Sequence, residues 1–150
     1  MEVVRVYGLE VAYRRIGEGP PLVFVHGAGD DGRVWQPQLA ALADEFTVVA
    51  WDEPGAGRSS DVPADFGLAD YAYCLAALIA ELALGPAHVV GVSWGGTVVQ
   101  ELYRNHPELV ATAPFRSTGK EATHTAECRV HAKGKAEVAW HPASGRADRA

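Results

Sequence analysis

Ser93 is the residue in this chain best placed by its neighbours to do chemistry. It stands in Gly91-Val92-Ser93-Trp94-Gly95, directly after the β-branched run Val89-Val90. An apolar helical pattern follows at once. A Gly-x-Ser-x-Gly between a strand and a helix demands a very tight reversal, with the serine held in a strained backbone conformation at its tip. Gly91 and Gly95 omit side chains where the two elements would collide. The hydroxyl is thereby presented at the end of the sheet, beside the unbonded N–H groups of the first helical turn. Those amides can stabilise an oxyanion, so the matching chemistry is attack by serine on an acyl carbon.

Two further segments carry the same kind of signal. Phe24-Val25-His26-Gly27-Ala28-Gly29 places a His-Gly turn behind an apolar run. Trp51-Asp52-Glu53-Pro54-Gly55-Ala56-Gly57-Arg58-Ser59 places an Asp-x-x-Gly-x-Gly-x-Ser turn behind another. Together with the serine motif, in this order, they resemble the α/β-hydrolase family over residues 3–110. The resemblance implies that Ser93 is the nucleophile. It implies an oxyanion hole formed by the amides of Ala28 and Trp94, with Gly29 a rival for Ala28. His26 then holds the oxyanion turn rather than acting as base. Asp52 caps its own turn, Arg58 ties that turn down, and Trp94 lines the pocket. Relatives that open epoxides or displace halide carry Asp at the elbow, so Ser93 points to esters, lactones or thioesters. No metal or organic cofactor is implied.

These motifs need a sheet to hold them. Residues 3–7 and 10–16 read as an antiparallel hairpin around Gly8 at a sheet edge. Residues 21–26, 46–51 and 87–92 are apolar runs suited to strands buried on both faces. Between them, residues 33–43, 67–83 and 94–105 show helical spacing, with Pro37 in the first turns of one and Gly85-Pro86 ending another. In the last helix Val98, Val99, Leu102 and Tyr103 are expected to face the sheet. Trp35, Trp51 and Cys74 are expected in the core. His88 and His106 fall at element ends. Alternation of strand and helix predicts an α/β fold: a mostly parallel sheet with an N-terminal antiparallel hairpin, flanked by helices.

Composition divides the chain near Val110. Residues 1–110 hold 6 Lys and Arg against 15 Asp and Glu, whereas residues 111–150 hold 7 against 4. The second stretch has ten Ala but no Leu or Ile. The reading is therefore an N-terminal half of an α/β-hydrolase domain over 1–110 and an irregular tail over 111–150, mostly coil with a short ordered segment at 127–130 or at 136–140. A frame-shifted or truncated continuation would give such a composition. The resemblance puts an acid and then a histidine after later strands. By order the candidates are Glu121, Glu127 and Glu137, with His124, His131 and His141, and none follows an apolar strand. The expected function is serine-dependent hydrolysis of small acyl compounds; the alternative is a catalytically incomplete member of the family. A ligand-binding receptor on the same fold is a third class that no residue favours.

At 150 residues and a net charge of −6 the chain is one domain by length, with no basic patch for nucleic acid. No apolar run approaches a membrane span, and no signal segment opens the chain. A cytoplasmic protein acting on a small acyl substrate is expected. The oligomeric state is not set by the sequence.

Overall fold

The computed structural model describes residues 1–113 and the backbone of three later segments, 115–116, 124–131 and 135–142. The elements run β1 (Glu2–Val6), β2 (Leu9–Ile16), β3 (Pro21–Val25), α1 (Gln36–Leu42), β4 (Thr47–Trp51), α2 (Leu68–Glu81), β5 (Ala87–Val92), α3 (Trp94–Asn105), β6 (Val110–Thr112), β7 (Phe115–Arg116), β8 (His124–His131) and β9 (Lys135–Pro142).

The sheet order is β1-β2-β4-β3-β5-β6, with β7 beside β5 further along. β1 and β2 form the antiparallel edge hairpin, and β2 runs antiparallel to β4. The hairpin turns at Tyr7 and Gly8, both at positive φ (49° and 84°). That is the twist a two-residue connection needs between right-handed strands. From β4 onward the sheet is parallel, β4 to β3 to β5 to β6.

Alternation along the strands splits the core into two layers. Leu22, Phe24, Val48 and Ala50 face α1 with Leu39 and Phe46, and Trp35 stacks on Phe24 with ring centroids 4.6 Å apart. Val23, Val25, Val49, Trp51 and Val89 face the other way, onto Leu75, Leu78 and Ile79 of α2 and Val98, Val99 and Leu102 of α3. Cys74 is buried in the same layer, which pushes its thiol up to about 11.

Three expectations change in detail. The helix expected over 33–43 is split into a 3-10 turn, Gly32–Trp35, followed by α1. Pro37 has no N–H to give the Arg33 carbonyl, which takes the Gln36 N–H in a tighter turn instead. Tyr103 is 55% exposed rather than facing the sheet. The buried face of α3 runs through Gly95, Val98, Val99 and Leu102, and residue 103 falls one step past it. After α3 the chain makes a 3-10 turn at Pro107–Leu109 and then only the three-residue β6.

Beyond residue 113 the structure adds regular elements to a stretch expected as mostly irregular. β8 and β9 pair antiparallel, from His124 opposite Pro142 to His131 opposite Lys135, and include both 127–130 and 136–140, expected as alternatives. A backbone ladder needs facing N–H and C=O groups, not large apolar side chains, which is why composition gave so little sign of it. Among the described residues no helix is long and apolar enough to cross a membrane.

Leu75 is fully buried between α2 and the sheet. Replacing it with Ala should cost about 2–5 kcal/mol in a urea unfolding titration. A loss under about 1 kcal/mol would mean that α2 does not seat on the sheet as described.

Candidate active site

The site is assembled by strand register. β3 pairs with β5 with Val25 opposite Gly91, so two residues on, Gly27 comes level with Ser93. β3 pairs with β4 with Phe24 opposite Ala50, which brings His26 level with Asp52. Three loops therefore leave the carboxyl ends of adjacent parallel strands at one height, where open α/β sheets hold their ligands.

Ser93 lies at φ 53° and ψ −119°, between β5 and α3. That is the first corner of a type II′ turn, a conformation glycine favours. Its neighbours make the corner possible. A Cβ on Gly91 would lie on the Gly95 carbonyl, and one on Gly95 would lie on the carbonyls of Val25 and His26. The Ser93 carbonyl accepts from the N–H groups of Gly96 (3.0 Å) and Thr97 (3.3 Å), starting the helix. The N–H groups of Trp94 and Gly95 precede the first intrahelical bond and are among those the helix cannot satisfy itself.

The turn after β3 packs directly on this corner. A Cβ on Gly27 would stand 3.6 Å from that of Ser93. The Asp30 N–H donates to the Gly27 carbonyl at 3.2 Å, and Gly29 adopts φ 80°. Ala28 and Gly29 are exposed at the lip of an open cleft of about 670 Å³, lined also by Arg33, Glu53, Tyr71 and Trp94. Asp31 caps the following 3-10 turn, and the Arg33 guanidinium holds its carboxyl down to about 2.

His26 is fully buried. Its Nδ1 lies 2.9 Å from the Gly27 carbonyl, and its Nε2 lies 3.1 Å from the Glu53 N–H. The tautomer protonated at Nδ1 satisfies both, donating to Gly27 and accepting from Glu53. With both ring nitrogens engaged, His26 braces the turn, as expected.

Asp52 also matches its expected role. One oxygen accepts the Gly32 N–H (2.9 Å) and the other accepts the Arg58 N–H and Nε (both 2.9 Å). Ser59 and Ser60 accept the N–H groups of Ala12 and Glu10, each at 2.9 Å, fastening this turn to β2.

Glu53 was not singled out by the sequence. It is buried, and its Oε2 accepts the Trp94 Nε1–H at 3.0 Å. Burial pushes its carboxyl up to about 7, against the pull of that indole bond. Tyr71 packs edge-on to Trp94, with centroids 5.5 Å apart, and its phenol is raised by burial and by the nearby Glu53. The available signal was position: a carboxylate immediately after a strand buried on both faces, at the carboxyl end of the sheet.

The other histidines are placed elsewhere. His88 lies at the start of β5, with Nδ1 2.8 Å from Thr112 Oγ1, at the far end of that strand from Ser93. His106 ends α3 against Tyr73. Of the later candidates, Glu121 lies outside the described residues. Glu127, Glu137, His124, His131 and His141 lie on β8 and β9, described by backbone alone.

A family model described as the alpha/beta hydrolase fold matches residues 20–135. The chain belongs to the alpha/beta hydrolase family. This alpha/beta hydrolase chain is 32% identical over 129 residues to (E)-2-((N-methylformamido)methylene)succinate hydrolase of Acinetobacter baylyi, covering 86% of this chain and 49% of that protein. Among solved structures it is similar to E-2-(acetamidomethylene)succinate hydrolase, with TM-score 0.70 and 33% identity over 73% of this chain and 41% of the other. It is also similar to Est816, an N-acyl homoserine lactone degrading enzyme, with TM-score 0.70 and 30% identity over 73% of this chain and 42% of the other. The chain spans about a third to a half of the length of the curated relatives it matches.

Two outcomes follow for stability. Ser93→Gly should raise it by about 1–2 kcal/mol in urea, since glycine adopts this corner without strain. A neutral or destabilising result would show that the corner is unstrained. Glu53 takes up its proton more tightly folded than unfolded, where its ordinary value is near 4.5. Between that value and about 7 the folded chain holds the extra proton, so wild-type stability should fall as pH rises through this window. Glu53→Gln should remove that slope from the melting-temperature profile, and an unchanged slope would exclude Glu53 as its source.

Proposed function

We propose that this chain carries the nucleophile and oxyanion half of a serine hydrolase acting on small acyl compounds: esters, lactones or thioesters. The observation that carries the reading is the strained corner at Ser93, pressed against the turn at Gly27. Strain of this kind persists where the surroundings enforce it, and an exposed hydroxyl at the end of a sheet is what it achieves here.

In this reading Ser93 Oγ adds to the acyl carbon while its proton passes to a general base. The carbonyl oxygen becomes an oxyanion, held by the N–H groups of Ala28 and Trp94. Collapse expels the alcohol or thiol, which takes up the proton, and water then releases the acid by the reverse sequence. The similarity to an E-2-(acetamidomethylene)succinate hydrolase and to an N-acyl homoserine lactone degrading enzyme supports a small acyl substrate. The open cleft lined by Ala28, Glu53 and Trp94 has the volume of a small-molecule site.

A second reading has its own support. Of the three described histidines outside β8 and β9, His26 is fully engaged and His88 and His106 stand away from the corner. A chain of this kind without a base and its orienting acid is a catalytically incomplete member of the family. Losing both can lower turnover on the order of a millionfold.

A fluorophosphonate probe separates these readings. The wild-type chain should be labelled, and Ser93→Ala should abolish the label. Labelling that survives in Ser93→Ala would remove Ser93 as nucleophile. Labelling with hydrolysis of p-nitrophenyl acyl esters identifies the complete enzyme, and a chain that shows neither is the incomplete member, because phosphonylation of serine needs the same base.

A further inference from the structure

Two buried carboxyls line the cleft: Asp31 caps the 3-10 turn, and Glu53 has no part in the hydrolase reading. Glu53 sits between the two loops that carry the candidate oxyanion amides, and it touches both. Its main-chain N–H donates to His26 Nε2 at 3.1 Å, and His26 in turn donates from Nδ1 to the Gly27 carbonyl at 2.9 Å. This fixes the turn leading into Ala28. Its side chain reaches the opposite loop, where Oε2 accepts the Trp94 indole N–H at 3.0 Å. The remaining oxygen lies 3.5 Å from His26 Nδ1, and the side chain is 6% exposed.

Given the assignment of Ala28 and Trp94 as oxyanion donors, on which this rests, we propose that Glu53 is a positioning residue that sets the separation of those two amides across Ser93. Its main chain holds one loop and its carboxyl the other.

Folding alone does not call for a carboxyl here. The backbone bond to His26 would form with any residue but proline at position 53, and an apolar side chain would be cheaper to bury. What the carboxyl adds is an acceptor for Trp94, whose other aromatic contact is the edge of Tyr71. Fixing the indole fixes the residue whose own N–H opens α3. Oxyanion donors act only within a few tenths of an ångström of their place, and misplacement by 1 Å can cost about a hundredfold.

The titratable groups facing the carboxyl are His26 from the end of β3 and Tyr71 from α2; Asp30, Asp31 and Arg33 line the same cleft. Burial brings Glu53 to about 7, so near neutral pH the indole bond alternates between a neutral and a charge-assisted form.

The test uses the 15N-labelled chain, with the Trp94 indole resonance assigned by its loss in Trp94→Phe. In wild type that resonance should move with pH, with a midpoint at about 7. In Glu53→Gln it should stay hydrogen-bonded but no longer titrate, and in Glu53→Ala it should shift to the position of a free indole. In parallel, Glu53→Ala should slow fluorophosphonate labelling of Ser93 about tenfold to a hundredfold, and Glu53→Gln should recover most of that loss. An indole resonance indifferent to both pH and substitution overturns the proposal. So does equal labelling of the Ala and Gln variants. If Glu53→Ala does not fold, the pH arm in wild type and Glu53→Gln decides. A wild-type chain that is never labelled counts against the hydrolase reading, and the indole resonances then still decide whether Glu53 holds Trp94.

Discussion

Between β5 and α3 the backbone reverses within a single residue, and the two elements come so close that neither Gly91 nor Gly95 has room for a side chain. This contact of backbone on backbone governs much of what surrounds it. Gly95 rests against the carbonyls that end β3, so the helix is locked to the central strand as well as to its own. The register of β3 against β5 then leaves Gly27 no other place than beside Ser93. A methyl group at either glycine would pry apart the elements that give the serine its position.

The turn after β4 shows how two adjacent carboxylates acquire different characters. Just past the end of β4, Asp52 and Glu53 turn to different neighbours. Asp52 meets backbone amides and the Arg58 guanidinium, which occupy both of its oxygens. Glu53 meets an indole and an imidazole among apolar walls, where a charge has little to stabilise it and the carboxyl holds its proton toward neutrality. The first organises a loop. The second is poised between two states, the condition in which a group can respond to its surroundings.

The three loops were legible in the sequence because each follows an apolar strand and each is marked by glycines that backbone proximity demands. The role of His26 was legible through the family resemblance, and those of Asp52 and Arg58 because a polar residue beside a glycine turn usually serves the turn. Glu53 was not, because a carboxylate before Pro-Gly looks solvated. Its burial is the work of Trp94, forty-one residues later, and of Tyr71 on another helix. Local pattern also misplaced Tyr103 by one step around α3 and ran a single helix through Pro37, where a missing N–H forces a tighter turn. The pairing and length of β8 and β9 went unread, beyond a short ordered segment, because the ladder rests on main-chain bonds that leave little trace in composition.

The hydroxyl of Ser93 caps nothing: it makes no bond to the start of α3, and the bend is sustained by the residues on either side. Backbone corner and side chain are therefore separable at this position. In the reading proposed above, the same bend could present a thiol or a carboxylate in place of the alcohol, so that the mount outlasts any one attacking group it carries.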